Sequence, residues 1–205
     1  MINKSVCILD YGSGNVGSVF NLLKHMKLDA VISNEEKVIQ NSSHLILPGV
    51  GSFGSAMEKI TNNLPLEVLE NEVLIKNKPF LGICVGMQVL ANYGLEFGKN
   101  AGLGWIDGVV DIMHSADHPL PHIGWNNVER TQESMLMSGF EKINDFYFVN
   151  SYCFIAKNIN NVLAETTYHE KFVSVIGKDN IMGVQFHPEK SQGAGQKIIT
   201  NFLEY

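Results

Sequence analysis

Short apolar runs alternate with segments of helical spacing over the first hundred residues. The all-apolar run at 6–9 is typical of a strand buried on both faces. Apolar residues then recur at helical spacing over 16–25. Further strands are predicted at 30–33 and 44–47, and a helix at about 64–75. This alternation predicts a parallel sheet with right-handed helical crossovers.

The pattern changes after Gly98, where strand-like pieces follow one another with turns between them. They lie at 102–106, 109–113, 123–128, 146–151, 162–166, 172–176 and 181–186. A last helix is predicted at about 195–203. We therefore expect an α/β fold whose mostly parallel central sheet is flanked by helices and extended by antiparallel strands. No repeat or linker interrupts the chain, which predicts one domain over residues 1–205.

A strand running directly into a helix is predicted around Cys84. Gly82 and Gly86 stand two residues either side of this cysteine, an arrangement like that of a nucleophile elbow. Such a tight turn strains the nucleophile's backbone and leaves no room for flanking side chains. A helix N-terminus also favours thiolate over thiol. The motif alone leaves open the alternative of a buried cysteine after an ordinary strand.

A candidate partner for this cysteine follows the predicted strand at 181–186. His187 and Glu189 are separated by Pro188, and residues two apart in an extended stretch point the same way. The carboxylate would take the Nδ1 proton, leaving Nε2 free to exchange a proton with the thiol. Open α/β sheets hold their sites at the carboxyl ends of strands. Together these positions predict a triad of Cys84, His187 and Glu189.

Two glycine-rich segments follow the first and third strands. Residues 48–54 contain three glycines that would expose backbone N–H groups on a loop able to reorient, although a plain turn is an alternative. Residues 11–15 suggest a phosphate loop, but the third small residue, Gly17, is one position early. No acidic residue ends the next strand either, so packing of the first helix is the preferred interpretation.

Composition excludes several classes of function. A net charge of -6 without a basic cluster argues against nucleic-acid binding, and no apolar run is long enough to span a bilayer. Three distant cysteines suggest neither a disulfide framework nor a zinc site, and with no signal-peptide pattern a cytoplasmic location fits best. His114, His118 and His122 have helical spacing, but prolines at 119 and 121 predict a loop of solvated histidines. We expect no metal and no cofactor.

The motifs together resemble those of a known family. They are Gly-Ile-Cys-Val-Gly-Met-Gln at 82–88, Pro-Gly-Val-Gly at 48–51 and Gln-Phe-His-Pro-Glu at 185–189. The chain is identified by them as similar to triad-type (class I) glutamine amidotransferases. Asp-Tyr-Gly-Ser-Gly-Asn at 10–15 and Ile-Gly-Trp-Asn at 123–126 resemble, more narrowly, the glutaminase subunits of imidazole glycerol phosphate synthase. The match runs from end to end.

This resemblance implies that the substrate is glutamine and that Cys84 attacks its side-chain carboxamide. The backbone N–H groups of Val85 and of the Val50-Gly51 segment would form the oxyanion hole. The remaining substrate-binding positions implied by the family are Gly49, Gln88, Glu96, Ser151 and Tyr152. Gln88 would hold the glutamine backbone, Glu96 the ammonium, and the Ser151-Tyr152 backbone the carboxylate.

The family also implies a partner, a (β/α)8-barrel cyclase subunit that forms a heterodimer and receives the ammonia. Trp125, Asn126, Tyr147 and Lys190 lie in the stretches that the family presents to this barrel. One position departs from the pattern, since the family usually has His before Ser-Tyr and this chain has Asn150. The alternatives are therefore a paralogous glutaminase feeding another synthase, such as one forming an amidino sugar, and a catalytically idle regulatory scaffold.

Overall fold

The computed structural model describes residues 4–116, 118–140 and 143–205. Its strands are β1 (Ser5–Leu9), β2 (Asp29–Ser33), β3 (His44–Gly49), β4 (Phe80–Cys84), β5 (Tyr93–Gly94), β6 (Asn100–Ala101), β7 (Gly108–Ile112), β8 (His122–Arg130), β9 (Ile143–Asn150), β10 (Tyr152–Ala156), β11 (Val162–Tyr168), β12 (Glu170–Lys178) and β13 (Ile181–Val184). Its helices are α1 (Val16–His25), α2 (Glu36–Asn41), α3 (Phe53–Asn63), α4 (Leu66–Glu70), α5 (Val85–Gln88) and α6 (Gln192–Leu203). A π-helical turn, Asn71–Ile75, continues α4.

One sheet joins these strands. Its first half runs in the order β2-β1-β3-β4-β13, and all neighbours there are parallel. The apolar runs of β1, β3, β4 and β13 are buried, as a parallel sheet covered on both faces requires, whereas the edge strand β2 is partly exposed. The predicted α/β class with a parallel core is confirmed.

Antiparallel strands extend this core from β13 through β12, β10 and β7. Strand β11 pairs with both β12 and β8, and β8 pairs with β9 along its length. The predicted antiparallel extension is thus confirmed. Among the described residues no helix is both long and apolar enough to cross a membrane.

Several predicted elements were wrong or incomplete. The segment before residue 64 holds the three-turn helix α3, because Phe53, Ala56 and Ile60 recur at helical spacing and are buried. The helix predicted at 64–75 begins only after Pro65 and turns π-helical at Asn71. No strand forms at 102–106 in the structure, whereas β10 follows directly after the turn at residue 151. Residues 1–3, 117 and 141–142 of the predicted domain lie outside the described parts.

The sheet brings three strand ends together at one edge. Gly49 at the end of β3 is paired with Cys84 at the end of β4, and Val184 at the end of β13 is paired with Ile83. Residues 185–187 therefore leave the sheet beside the cysteine. This edge is the carboxyl end of the parallel core, where open α/β sheets hold their sites.

Candidate active site

Cys84 occupies a strained turn between β4 and α5. Its φ of 55° lies in the left-handed region, which a residue with a side chain adopts only when the surroundings enforce it. A Cβ added at Gly86 would overlap the carbonyl oxygen of Leu47, and one at Gly82 would overlap that of Gly86. Only glycines fit at these two positions, which is the crowding expected around a nucleophile elbow.

His187 and Glu189 form a buried pair behind the cysteine. The distance from His187 Nδ1 to Glu189 Oε1 is 2.9 Å, and the side chains are 5% and 1% exposed. Asn15, in the loop before α1, donates its Nδ2 to the same carboxylate oxygen at 3.2 Å. The backbone N–H of His187 donates to the Tyr147 carbonyl, which anchors the histidine to β9. The sequence analysis did not anticipate the contact of Asn15.

Electrostatics favour a positively charged imidazole at this position. Burial alone would lower the pKa of His187, but hydrogen bonds to Cys84 and Glu189 together with their charges raise it to about 10. Burial likewise would raise the pKa of Glu189, and the bonded His187 lowers it. The imidazole can therefore hold a proton next to the sulfur at neutral pH and release it to a basic leaving group.

A cavity of about 210 Å³ opens in front of Cys84. This is below the roughly 300–1,000 Å³ typical of sites for drug-sized ligands, so a small metabolite fits it better. Its walls are formed by Gly51, Cys84, Val85, Gln88, Glu96, Pro121, Val149, Asn150, Ser151 and Tyr152. Seven of the residues predicted from sequence thus meet at one cavity, and Pro121 and Val149 are additional.

Two polar side chains of this wall are already held in place. Gln88 is 3% exposed and donates from Nε2 to the Tyr152 carbonyl at 3.0 Å. Glu96 accepts from the backbone N–H of Phe53, at the start of α3, with Oε2 at 2.8 Å. Because both side chains are fixed by the protein itself, the polar groups of the cavity are arranged before a ligand binds.

The segment after β3 lies beside the elbow. Gly49 is packed so closely that an added Cβ would stand 2.8 Å from the Val85 Cβ, whereas Val50 is 39% exposed. Gly51 has a φ of 88°, so only glycine adopts this conformation readily. Beneath the segment, burial raises the pKa of Tyr11 to about 12, and its buried hydroxyl has no hydrogen-bond partner among the described residues.

Comparison with known proteins identifies the family to which this site belongs. The profile of the family "Glutamine amidotransferase class-I" matches residues 7–205. The chain belongs to the class I glutamine amidotransferases. The chain is 41% identical over 200 residues to imidazole glycerol phosphate synthase subunit HisH 2 of Methanococcus maripaludis, covering 97% of this chain and 98% of the relative. It is also 41% identical over 213 residues to subunit HisH of Zymomonas mobilis, covering 99% and 97%.

Solved structures agree on the fold. PurLQS from Thermotoga maritima superposes with a TM-score of 0.74 at 17% identity, covering 100% of this chain and 99% of that one. At this identity the similarity shows the fold alone. The predicted single-domain amidotransferase fold is therefore confirmed.

The side chains predicted to face a partner lie outside the amidotransferase cavity. Trp125 on β8 and Tyr147 on β9 are direct neighbours in the sheet, with ring centroids 6.0 Å apart. The Lys190 ammonium lies 5.4 Å from the centre of the Tyr147 ring, within the range of a cation–π contact. Asn126 donates to the Thr167 carbonyl at 3.0 Å. Trp125 is 48% exposed, and its neighbour Ile123 is 60% exposed.

One expectation about histidines was wrong. His122 does not lie in a solvated loop; it begins β8, is 4% exposed and stacks on Tyr168 with ring centroids 4.2 Å apart. Burial lowers its pKa, so the neutral ring is favoured. His114 and His118 are exposed, as expected. Within the described parts of the chain no group of three metal-ligating side chains is found.

The amidotransferase site also contains a buried amide that the sequence analysis did not single out. Gln185, at the end of β13, is fully buried and lies between Gln88 and Cys84. Its position two residues before His187 was the available signal, since it leaves the sheet at the same edge.

Proposed function

We propose that this chain hydrolyses glutamine to glutamate and ammonia through Cys84, His187 and Glu189. The observation that carries the proposal is the meeting of a strained cysteine, a buried histidine–carboxylate pair and a small polar cavity at one sheet edge. The family supports the same reaction.

Substrate binding follows from the atoms that remain free in the cavity. Both Nε2 protons of Gln88 are used inside the protein, by the Tyr152 carbonyl and by Gln185. Its Oε1 is thus the atom left to accept from the glutamine ammonium, alongside the carboxylate of Glu96. We assign the glutamine carboxylate to the backbone of Ser151 and Tyr152, which also line the cavity.

The reaction begins with attack of the Cys84 sulfur on the side-chain carbonyl carbon of glutamine. The oxygen that becomes negative would be met by backbone N–H groups of Val85 and of the segment 50–51. His187 then gives its proton to the departing ammonia, and a thioester remains. A water molecule, losing a proton to the same imidazole, hydrolyses the thioester to glutamate and restores the thiol–imidazole pair.

We further propose that the ammonia passes to a (β/α)8-barrel cyclase that forms a heterodimer with this chain, in the synthesis of imidazole glycerol phosphate for histidine. Support comes from the names of the relatives, which are subunits of that synthase, at 41% identity over nearly whole chains. Trp125, Asn126, Tyr147 and Lys190, of which Trp125 and Lys190 are exposed and the other two half-buried, offer a surface for the barrel. Because the reaction needs a free thiol, and the three cysteines are free, we place the enzyme in the cytoplasm.

A paralogous synthase is the second candidate acceptor, and Asn150 is the observation behind it. This side chain is 6% exposed and donates to the Tyr152 carbonyl at 3.2 Å. It therefore still braces the turn that lines the glutamine cavity, although an amide replaces the imidazole usual in the family. The ordered triad counts against the remaining alternative, an idle scaffold.

The proposed function is tested with Cys84→Ala in complex with the barrel protein. We expect glutamine-dependent synthesis to be abolished while synthesis from added ammonium salt continues, since the thiol only releases ammonia. Loss of the ammonia-driven reaction in an intact complex would contradict this division of labour. The identity of the barrel protein that co-purifies with the chain decides between the histidine pathway and a paralogous one.

A further inference from the structure

Two buried amides connect the wall of the cavity to the nucleophile. Gln88 Nε2 donates to the Tyr152 carbonyl at 3.0 Å and to Gln185 Oε1, also at 3.0 Å. Gln185 Nε2 in turn donates to Cys84 Sγ at 3.7 Å. Gln88 is 3% exposed and Gln185 is 0% exposed, so water does not compete for these bonds. The result is a continuous hydrogen-bonded line from the cavity wall to the sulfur.

The carbonyl of Tyr152 sets the direction of this line. A carbonyl oxygen only accepts, so Gln88 must turn its amino group toward it. The second proton of that amino group needs an acceptor, and Gln185 must therefore present its oxygen to Gln88. This leaves the amino group of Gln185 facing Cys84. The sulfur thus receives a donor, which favours the thiolate over the thiol.

We propose that Gln185 is a positioning residue of the glutaminase, which stabilises the thiolate of Cys84 and holds Gln88 in a fixed relation to it. This inference deepens the proposed function and rests on it. A neutral donor performs this role without exchanging protons, so His187 keeps the task of moving them.

Other groups also face the sulfur. His187 interacts with it electrostatically, and a protonated imidazole favours a negative sulfur, as the Gln185 donor does. The Val149 carbonyl lies 3.8 Å away and Tyr11 interacts with it from the loop after β1. Glu96, which carries a negative charge, lines the same cavity. A carbonyl oxygen and a carboxylate disfavour a negative sulfur. Gln185 and His187 therefore have to offset this unfavourable electrostatic effect for the thiolate to be stable.

Two substitutions distinguish the effect of the Gln185 side-chain oxygen, which accepts from Gln88, from that of its amino group, which donates to the sulfur. Gln185→Glu keeps an oxygen that accepts from Gln88 but removes the donor to the sulfur. Gln185→Met removes both bonds and adds no charge. Gln132→Met is the matched control, because Gln132 also donates twice, to the carbonyls of Asn160 and Val162, neither of which lines the cavity.

The main readout is the alkylation of Cys84 by iodoacetamide in the isolated chain, followed across pH by mass spectrometry of the cysteine's peptide. For Gln185→Met we expect about tenfold slower alkylation at neutral pH and a half-maximal rate about one pH unit higher, the lower end of what a hydrogen bond to a charged group contributes. Gln185→Glu should slow alkylation as well. Gln132→Met should match the unsubstituted chain.

Steady-state kinetics of the complex provide a second readout. Gln185→Met should raise KM for glutamine and lower kcat, because Gln88 is released as well as the sulfur. Gln185→Glu should lower kcat with a smaller change in KM. A structural defect alone would not divide the two variants in this way.

A folded Gln185→Met chain with an unchanged alkylation profile would overturn the proposal. If that variant does not fold, Gln185→Glu decides in the same assay. In the unsubstituted protein the Gln185 side-chain amide resonance must also differ from that in Cys84→Ala, and an unchanged resonance would be a second refutation. Alkylation requires no glutamine hydrolysis, so a chain with the expected profile but no glutaminase activity would refute the proposed function instead.

Discussion

Replacing Glu189 by Gln removes one charge from the triad and keeps its shape. His187 Nδ1 and Asn15 Nδ2 both donate to the same oxygen of Glu189, at 2.9 and 3.2 Å. An amide at this position must therefore also present its oxygen there, because its amino group would face two donors. The imidazole keeps its tautomer, with Nε2 toward Cys84.

The expected loss is correspondingly modest. A hydrogen bond to a charged group contributes about 1.5–3 kcal/mol and a neutral one about 0.5–1.5 kcal/mol. The difference of about 1–1.5 kcal/mol corresponds to a decrease in kcat of roughly tenfold. In serine triads the amide substitution reverses the tautomer, and the decrease is about ten-thousandfold. The contact of Asn15 is the physical reason for the smaller value here.

The same variant should change the pH dependence. The charge of Glu189 helps to raise the pKa of His187 to about 10, so its removal lowers that pKa and moves the alkaline limb of kcat to lower pH. A pKa raised above the ordinary 6.5 stabilises the fold fully below pH 6.5, and this stabilisation is lost as pH rises toward 10. In Glu189→Gln the loss should therefore be smaller and finish at lower pH.

The assay is glutamine hydrolysis by the complex across pH, with urea unfolding of the isolated chain at each pH. Glu204→Gln serves as the control. That carboxylate is 66% exposed, and its ion pair with Lys4 Nζ is long at 3.8 Å, so the loss of its charge should have little effect. A thousandfold loss of kcat in a folded variant would refute the argument from Asn15. An unchanged alkaline limb would refute the assigned pairing.

Two further predictions concern the elbow and the order of triad effects. Gly86→Ala should destabilise the fold by about 1–3 kcal/mol in urea unfolding, because the added Cβ would overlap the Leu47 carbonyl. The control is Gly17→Ala in α1, where the added Cβ meets open space. This substitution should be neutral or should stabilise the fold by up to about 1 kcal/mol. His187→Ala should be nearly as damaging to kcat as Cys84→Ala, and a variant lacking only the carboxylate should be milder; the reverse order would overturn the assigned roles.

Much of the fold was predictable because burial on both faces leaves a clear mark in the sequence. The apolar strands of the parallel core and the glycines around Cys84 satisfy local requirements that any such turn imposes. The helix α3 was missed because it begins inside a glycine-rich segment, where Gly54 masks its spacing. Strand β10 was missed because only Ser151 separates it from β9.

The site was predictable only where motif and chemistry coincide. The pair at 187 and 189 is local, so its geometry follows from an extended backbone. The contact of Asn15 with Glu189 spans 174 positions, and no local pattern encodes it. Gln185 has the same difficulty, because a glutamine within an apolar strand is not distinguished by spacing. The role of Gln185 follows from the directions of its hydrogen bonds to Gln88 and Cys84, and these directions are defined only in the folded sheet.

The least complete part of the site is the proposed oxyanion hole. Val50, which is expected to supply one of its donors, is 39% exposed and does not line the cavity. Of the segment after Gly49, only Gly51 lines the cavity. Val85, in the elbow, is then the donor already in place.

An absent oxyanion donor costs on the order of 2.7–4 kcal/mol, or roughly a hundred- to thousandfold in rate. The isolated chain should therefore be nearly idle, and a partner that turns the Val50 peptide should raise turnover by about that factor. The measurement is glutamine hydrolysis by the isolated chain and by its complex with the barrel protein. If the isolated chain already hydrolyses glutamine at the full rate of the complex, the Val50 peptide is not the switch, and the activation by the partner needs another cause.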